Sequence, residues 1–327
     1  MAFPKVFVTR QIGDDALSRL DKELDLKVWE DYFPPSREQL LEETKDSVGI
    51  LTMLTDQIDG SFLSQRRSLK VVSNMATGVD NVDVDAASMN QVLVGSTPGV
   101  LTDTCAEFVL ALLLASARRL AEGEHAIRDG SWKVWHPSFL LGRDLNQSTL
   151  GIIGLGNIGL QVAIRAKAFG MKTVYFQRTR NHDLEAQYGI EFVPSLGALL
   201  GLADFVSIHV PLTEQTYHLI GQKELDGMKK TGVLINTSRG PVVDQKALLA
   251  SLKNEVIAGA ALDVFETEPI NPSDPLLKLP NVVATPHIGS ASIATRTKMA
   301  IMAAENLRCG VLGLPMPHCV NLKRLSG

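Results

Sequence analysis

Three polar positions in the second half of the chain carry side chains suited to reducing a carbonyl that stands beside a carboxylate. Arg239 lies in Asn236-Thr237-Ser238-Arg239-Gly240, Glu268 in Asp263-Val-Phe-Glu-Thr-Glu268-Pro269, and His287 in Thr285-Pro-His287-Ile-Gly289. Such a reaction needs a fixed cation for the carboxylate, a proton donor for the developing alkoxide, and a group that keeps the donor charged near neutral pH. Arginine, histidine and a carboxylate meet those needs in turn. Glu266 precedes Glu268 by two residues, and chemistry alone does not choose between them.

The segment Gly154-Leu155-Gly156-Asn157-Ile158-Gly159 has a different purpose. It follows an apolar run and opens a helical pattern, as a dinucleotide-binding Gly-x-Gly-x-x-Gly motif must. The first glycine permits the turn, the second lets backbone N–H groups approach a pyrophosphate, and the third allows helix and strand to pack closely. A helix N-terminus adds partial positive charge for the phosphates. About twenty residues on, where an acid usually takes the ribose hydroxyls, the sequence reads Gln177-Arg178-Thr179-Arg180. No carboxylate repels a 2′-phosphate there, and two guanidiniums are available to pair with it. The expectation is a preference for NADP(H), with NAD(H) also accepted.

These residues need a scaffold. Strands are expected at residues 5–9, 48–54, 70–74 and 92–96, with helices at 14–23 and 37–45 between them. A second alternating series has strands at 150–154, 173–177, 205–210, 233–237, 258–264 and 282–285. These runs are apolar with little alternation, as in parallel sheets covered on both faces. Between the series, a strongly apolar helix is expected at 104–119, opening on a Thr104-Cys-Ala-Glu107 capping box. A last helix is expected at about 293–308. The fold class is α/β: a Rossmann dinucleotide-binding domain (100–290) inserted into a flavodoxin-like substrate domain (1–99 with 291–327), both doubly wound around parallel sheets.

The 327-residue length favours two cores over one. A net charge of −4 gives no electrostatic footprint for nucleic acid or anionic membrane. Three cysteines (Cys105, Cys309 and Cys319) lack metal-ligand spacing and read as reduced, buried thiols, so no metal is expected. The start has no signal-peptide pattern. The run Phe108–Ala117 is roughly half a membrane span. A soluble cytoplasmic protein is expected.

The glycine motif, Asn236–Asp244, Leu262–Pro269 and Thr285–Ser290 together resemble the D-2-hydroxyacid dehydrogenase family. Ala76-Thr-Gly-Val-Asp80-Asn81, Thr97–Asp103, Trp135-His-Pro137 and Leu141-Gly-Arg-Asp144 resemble its glyoxylate/hydroxypyruvate reductase branch. The likeness runs in order over nearly the whole chain. It implies that Arg239 binds the substrate carboxylate and keto oxygen and that His287 is the general acid. Glu268, directly before Pro269, becomes the carboxylate that pairs with the imidazole and favours its charged form. The resemblance further implies backbone N–H groups of Ala76, Thr77 and Gly78 at the substrate carboxylate. Met53 and Trp135 are candidates for the wall of the acyl site. Asp263 is expected near the nicotinamide carboxamide, and Thr104, His209, Val210, Pro211, Thr237, Ser238 and Gly289 along the cofactor. Glyoxylate and hydroxypyruvate are the expected substrates, and the partner is a second copy, joined through the dinucleotide domain and its apolar helix. The alternative is a related dehydrogenase acting on another small anion, phosphite or a longer 2-keto acid; Thr77 stands where some phosphite-oxidising relatives carry lysine, and no insertions of the formate-specific branch are present. The complete triad and the absence of an interaction tail count against a cofactor-sensing regulator.

Overall fold

The computed structural model describes residues 3–325, which divide into two compact units: one of the residues up to Leu101 together with those from Ala291 on, the other Thr102–Ser290. Both are parallel-sheet α/β domains.

In the first unit, β1 (Lys5–Val8), β2 (Asp25–Val28), β3 (Gly49–Thr52), β4 (Val71–Asn74) and β5 (Leu93–Gly95) form one parallel sheet in the order β2-β1-β3-β4-β5. Successive side chains point to opposite faces, and both faces are apolar. Val6, Val8, Leu51 and Val71 pack against Met299, Ala303 and Leu307 of the helix Ile293–Val311, while Phe7, Ile50 and Val72 pack against Phe62 and Leu63 on the other face. Truncating Leu307 to alanine would cost about 2–5 kcal/mol on these grounds. Polar contacts fix the same helix: Ser73 Oγ donates to the Ala303 carbonyl (2.7 Å) and Asn306 Nδ2 to the Ser96 carbonyl (2.8 Å). The C-terminal segment thus returns to the first sheet.

In the second unit, β6 (Thr149–Ile153), β7 (Lys172–Phe176), β8 (Glu191–Phe192), β9 (Phe205–Ile208), β10 (Val233–Asn236), β11 (Gly259–Leu262) and β12 (Val282–Ala284) are all parallel, in the order β12-β11-β10-β9-β6-β7-β8. The order reverses between β6 and β9, which makes a crevice at the carboxyl ends of those strands. One face is covered by the helices Thr102–Ala117 and Asn157–Ala168, through Ala106, Val109, Leu113, Val162, Ala163 and Ala166. Leu199, Leu200, Leu225, Leu248 and Leu252 cover the other.

Several local expectations change. The helix expected at 104–119 runs from Thr102 to Ala117, emerging from a turn at Val100–Leu101. Thr104 therefore lies inside the helix, and the expected capping box does not start it. The helix expected at 14–23 is α-helical only over Asp14–Leu17 and continues as turns. Edge strands β2 and β8 were not expected. Of the three thiols, only Cys309 is buried; Cys105 and Cys319 are partly exposed, and none is in a disulfide. Among the described residues, no helix is long and apolar enough to cross a membrane.

Candidate active site

At the crevice, β6 passes into the helix Asn157–Ala168 through Gly154-Leu155-Gly156. Gly154 has φ +94°, and a Cβ there would meet Val210 Cγ1 at 2.9 Å and the His209 carbonyl oxygen at 3.1 Å. This left-handed turn beside the neighbouring loop requires glycine. A Cβ on Gly159 would stand 2.3 Å from the Gly154 carbonyl oxygen, so the helix rests directly on the turn. At Gly156, the helix N-cap, a Cβ would meet nothing within 4 Å. No side chain caps this N-terminus, and the first N–H groups of such a helix lack intrahelical acceptors. Open space over unclaimed N–H groups suits a pyrophosphate, and the residues present fit a dinucleotide.

His209, Val210 and Pro211 follow β9 on the other side of the crevice, with His209 N–H donating to the Ile153 carbonyl (2.8 Å). Burial pushes the His209 imidazole down to about 4, so the ring is neutral near pH 7, with Nε2 2.8 Å from Ser207 Oγ. The crevice wall here is uncharged.

At the end of β7, Gln177 is not a free ribose ligand. Its Oε1 accepts from the Leu155 N–H (3.1 Å) and its Nε2 donates to the Thr179 carbonyl (2.6 Å), which binds the glycine turn to the next loop. Arg178 is exposed and makes no ion pair among the described residues. Arg180 is paired with Glu185, at 2.7 Å from Nη2 to Oε2. The two arginines read as equivalent in the sequence, but they are not equivalent in the fold.

The three polar positions all lie in the second unit, at or beyond the carboxyl ends of β10, β11 and β12. His287 Nδ1 lies 2.7 Å from Glu268 Oε2, and Glu268 Oε1 accepts from the Phe265 N–H (3.0 Å). Burial works against the Glu268 carboxylate. The hydrogen bond and charge of His287, with the Phe265 N–H and the charge of Arg239, outweigh it and hold the group below the ordinary carboxylate range. An ionised carboxylate only accepts, so Nδ1 carries a proton and Nε2 is left for proton transfer. Glu266 instead meets His218, with Oε1 2.7 Å from Nε2. Glu268, not Glu266, is therefore the hydrogen-bond partner of His287.

Arg239 is held from its backbone. Asn236 Nδ2 donates to the Arg239 carbonyl (2.9 Å), while Ser238 N–H and Oγ–H donate to Asn236 Oδ1 (3.0 and 2.9 Å). A Cβ on Gly240 would lie 1.9 Å from the Phe265 carbonyl carbon and oxygen, so glycine brings the arginine loop against the Phe265–Glu268 loop. Thr237 and Ser238 occupy the β10 end of this loop, half-buried.

Asp263 is 1% exposed and has three donors. Its Oδ1 accepts from Thr285 Oγ1 (2.6 Å) and Ile288 N–H (2.9 Å), and Oδ2 from Gly289 N–H (2.8 Å). Its own carbonyl accepts from His287 N–H (2.9 Å). His287 sits in the left-handed region at φ +55°, a conformation that costs roughly 1–3 kcal/mol where the surroundings impose it. Asp263 is the clamp that imposes it, a role the sequence did not reveal. A further grouping missed in the sequence is His218, Asp244 and Glu266, whose ligand-type atoms come within 4.8 Å of one another. Its carboxylates already accept from Ala247 N–H (Asp244) and Gln245 N–H (Glu266).

In the first unit, Met53 follows β3 and Ala76-Thr77-Gly78 follow β4. Thr97 N–H donates to the Ala76 carbonyl, Thr77 Oγ1 to the Thr97 carbonyl and Asn74 Nδ2 to the Gly78 carbonyl. The loop is therefore fixed through its carbonyls and one hydroxyl. Its three N–H groups donate to nothing among the described residues of this unit. Asn81 Nδ2 holds the neighbouring loop through the carbonyls of Met53 (3.0 Å) and Asp56 (2.8 Å).

Residues 110–289 match the family model described as "D-isomer specific 2-hydroxyacid dehydrogenase, NAD binding domain". The chain belongs to the D-isomer-specific 2-hydroxyacid dehydrogenase family. As a family member, it is an NAD(P)-dependent dehydrogenase. It is 51% identical over 319 residues to the glyoxylate reductase of Korarchaeum cryptofilum, covering 97% of this chain and 96% of that one. Its fold is similar to the crystal structure of a protein from Thermus thermophilus, with a TM-score of 0.91 and 44% identity over 97% of this chain and 99% of that one. A second similar structure is an NADPH-dependent glyoxylate/hydroxypyruvate reductase of Sinorhizobium meliloti in complex with NADP and malonate. There the TM-score is 0.85, with 32% identity over 98% of this chain and 97% of that one. In this dehydrogenase the matched segment spans the glycine turn, the end of β7 and the Arg239, Glu268 and His287 positions.

Proposed function

We propose that the protein reduces glyoxylate and hydroxypyruvate to their 2-hydroxy acids, taking the hydride from NADPH in preference to NADH. The observation that carries this reading is the His287 Nδ1–Glu268 pair at 2.7 Å, at the end of the sheet that also bears Arg239. The names of the Korarchaeum and Sinorhizobium relatives supply the substrate class. When bound, the reduced nicotinamide supplies the hydride. Gly154–Gly159 and the helix N-terminus hold the pyrophosphate, with Thr104, His209–Pro211, Thr237, Ser238 and Gly289 along the rest of the cofactor. Arg239 clamps the substrate carboxylate and keto oxygen. His287 delivers the proton from Nε2 as negative charge develops on the C2 oxygen. Glu268 keeps Nδ1 protonated and offsets the imidazolium charge. Met53 and the N–H groups of Ala76, Thr77 and Gly78 are assigned to the substrate on the family resemblance.

The NADPH preference rests on the uncompensated Arg178 and on the neutral Gln177. We assign the protein to the cytoplasm as a homodimer. Support for the second copy comes from the exposed apolar side chains of Leu120, Ile127, Trp132, Val134, Trp135, Phe139 and Leu141, a run too concentrated for a solvated surface. Trp135 is thereby given to the contact between copies. Sedimentation at micromolar concentration should return twice the chain mass; a monomer would refute that part. The function itself is tested by incubation with glyoxylate and NADPH, which should yield glycolate in step with cofactor oxidation. Cofactor oxidation without that product would overturn it.

A further inference from the structure

Arg180 and Glu185 form a closed pair beside the cofactor site. Nη2 of Arg180 lies 2.7 Å from Oε2 of Glu185, and Nε lies 2.9 and 3.2 Å from its two oxygens. The guanidinium also sits over the Phe192 ring, 5.3 Å from its centroid. Glu185 is anchored from the other side: Tyr175 Oη donates to its Oε1 (2.8 Å), and the Asn181 N–H donates to Tyr175 Oη (2.9 Å). The pair is therefore built from β7, β8 and the helix His182–Tyr188, and it does not depend on one flexible side chain. Two residues away, Arg178 is exposed and has no such partner among the described residues.

We propose that Glu185 sets cofactor selectivity by holding Arg180 in an internal ion pair, so that Arg178 alone presents uncompensated positive charge to a 2′-phosphate. This rests on the NADPH reading of the 177–180 loop. A phosphate approaching Arg180 meets a guanidinium whose charge is already paired through Nε and Nη2, and the neighbouring carboxylate repels it. The net field of the pair is close to zero beyond its own length. Glu185 is held ionised, down to about 2, by its hydrogen bonds to Arg180, so the pair stays closed over the working pH range. The balance tolerates both cofactors, and one substitution would shift it.

The test reads binding of adenosine 2′,5′-bisphosphate and of 5′-AMP by calorimetry, alongside kcat/KM for NADPH and NADH. Glu185→Gln keeps the shape and removes the charge. It should raise affinity for the bisphosphate about three- to tenfold, the size expected for one exposed charge, and leave 5′-AMP within about twofold. Arg180→Ala should lower bisphosphate affinity, because it uncovers the carboxylate. The double variant Arg180→Ala/Glu185→Gln replaces one neutral pair by another and should return to near the wild-type value. Unchanged or weaker bisphosphate binding in Glu185→Gln overturns the proposal. So does a roughly tenfold loss in the double variant, which would make Arg180 a direct phosphate ligand. The underlying reading fails separately, if wild type binds the two fragments alike and Arg178→Ala changes neither.

Discussion

Replacing Asp263 by asparagine tests whether the loop that carries the proposed acid is held by this one carboxylate. Its two oxygens accept three hydrogen bonds, from Thr285 Oγ1, Ile288 N–H and Gly289 N–H, at 2.6–2.9 Å and almost without solvent. Asparagine keeps one oxygen and turns the other into a donor that faces a donor. At least one charge-assisted bond is lost, about 1.5–3 kcal/mol, and a buried N–H is left opposed by a second N–H, about 1–3 kcal/mol more. The expected loss is roughly 3 kcal/mol, or about 6–12 °C in Tm for a domain of this size. The catalytic effect follows from His287, whose φ of +55° relaxes when its neighbours are released. A misplacement of about 1 Å costs about 100-fold. Calorimetry should therefore show the lower Tm, and steady-state kinetics a kcat reduced by about that factor, a larger change than that in cofactor Kd. A variant with wild-type Tm and kcat within threefold would refute the clamp. A loss confined to cofactor affinity would return Asp263 to the nicotinamide contact that the family resemblance implies.

His287→Ala should lower kcat by about 10²–10⁴ with little change in KM, since it removes a group used only as charge develops; near-wild-type turnover would exclude it as the acid. Arg239→Ala should cost about 2–5 kcal/mol in kcat/KM through loss of a buried carboxylate clamp, and Arg239→Lys should not restore it. Glu268→Gln should lower kcat for reduction more than it changes KM, because His287 Nδ1 loses the carboxylate that holds the ring at 2.7 Å. Wild-type kcat in that variant would contradict a positioning role for Glu268.

The parts legible in the sequence are those where one residue type meets one steric demand. Gly154 and Gly159 read correctly because no Cβ fits a left-handed turn or a 2.3 Å approach to a carbonyl oxygen. Buried strands such as Val71–Asn74 and Phe205–Ile208 read correctly because both of their faces are covered. Edge strands did not: Asp25–Val28 is polar at alternate positions and Glu191–Phe192 is two residues long, too little pattern for a strand. The capping signal at Thr104–Glu107 misplaced a helix start because the turn at Val100–Leu101 had already opened the helix. Glu266 and Glu268 share a type and a neighbourhood, and only the fold sends one to His218 and the other to His287. Arg178 and Arg180 likewise differ through a partner, Glu185, on the following helix. Pairing of charges is a tertiary property, and residue spacing does not carry it.

The most direct test of the functional account is kcat/KM for glyoxylate, hydroxypyruvate and pyruvate, measured with NADPH and again with NADH. The account predicts turnover that favours glyoxylate and hydroxypyruvate over pyruvate and NADPH over NADH. Equal or better values with NADH would contradict the cofactor reading, and no turnover of any of the three acids would contradict the substrate class itself.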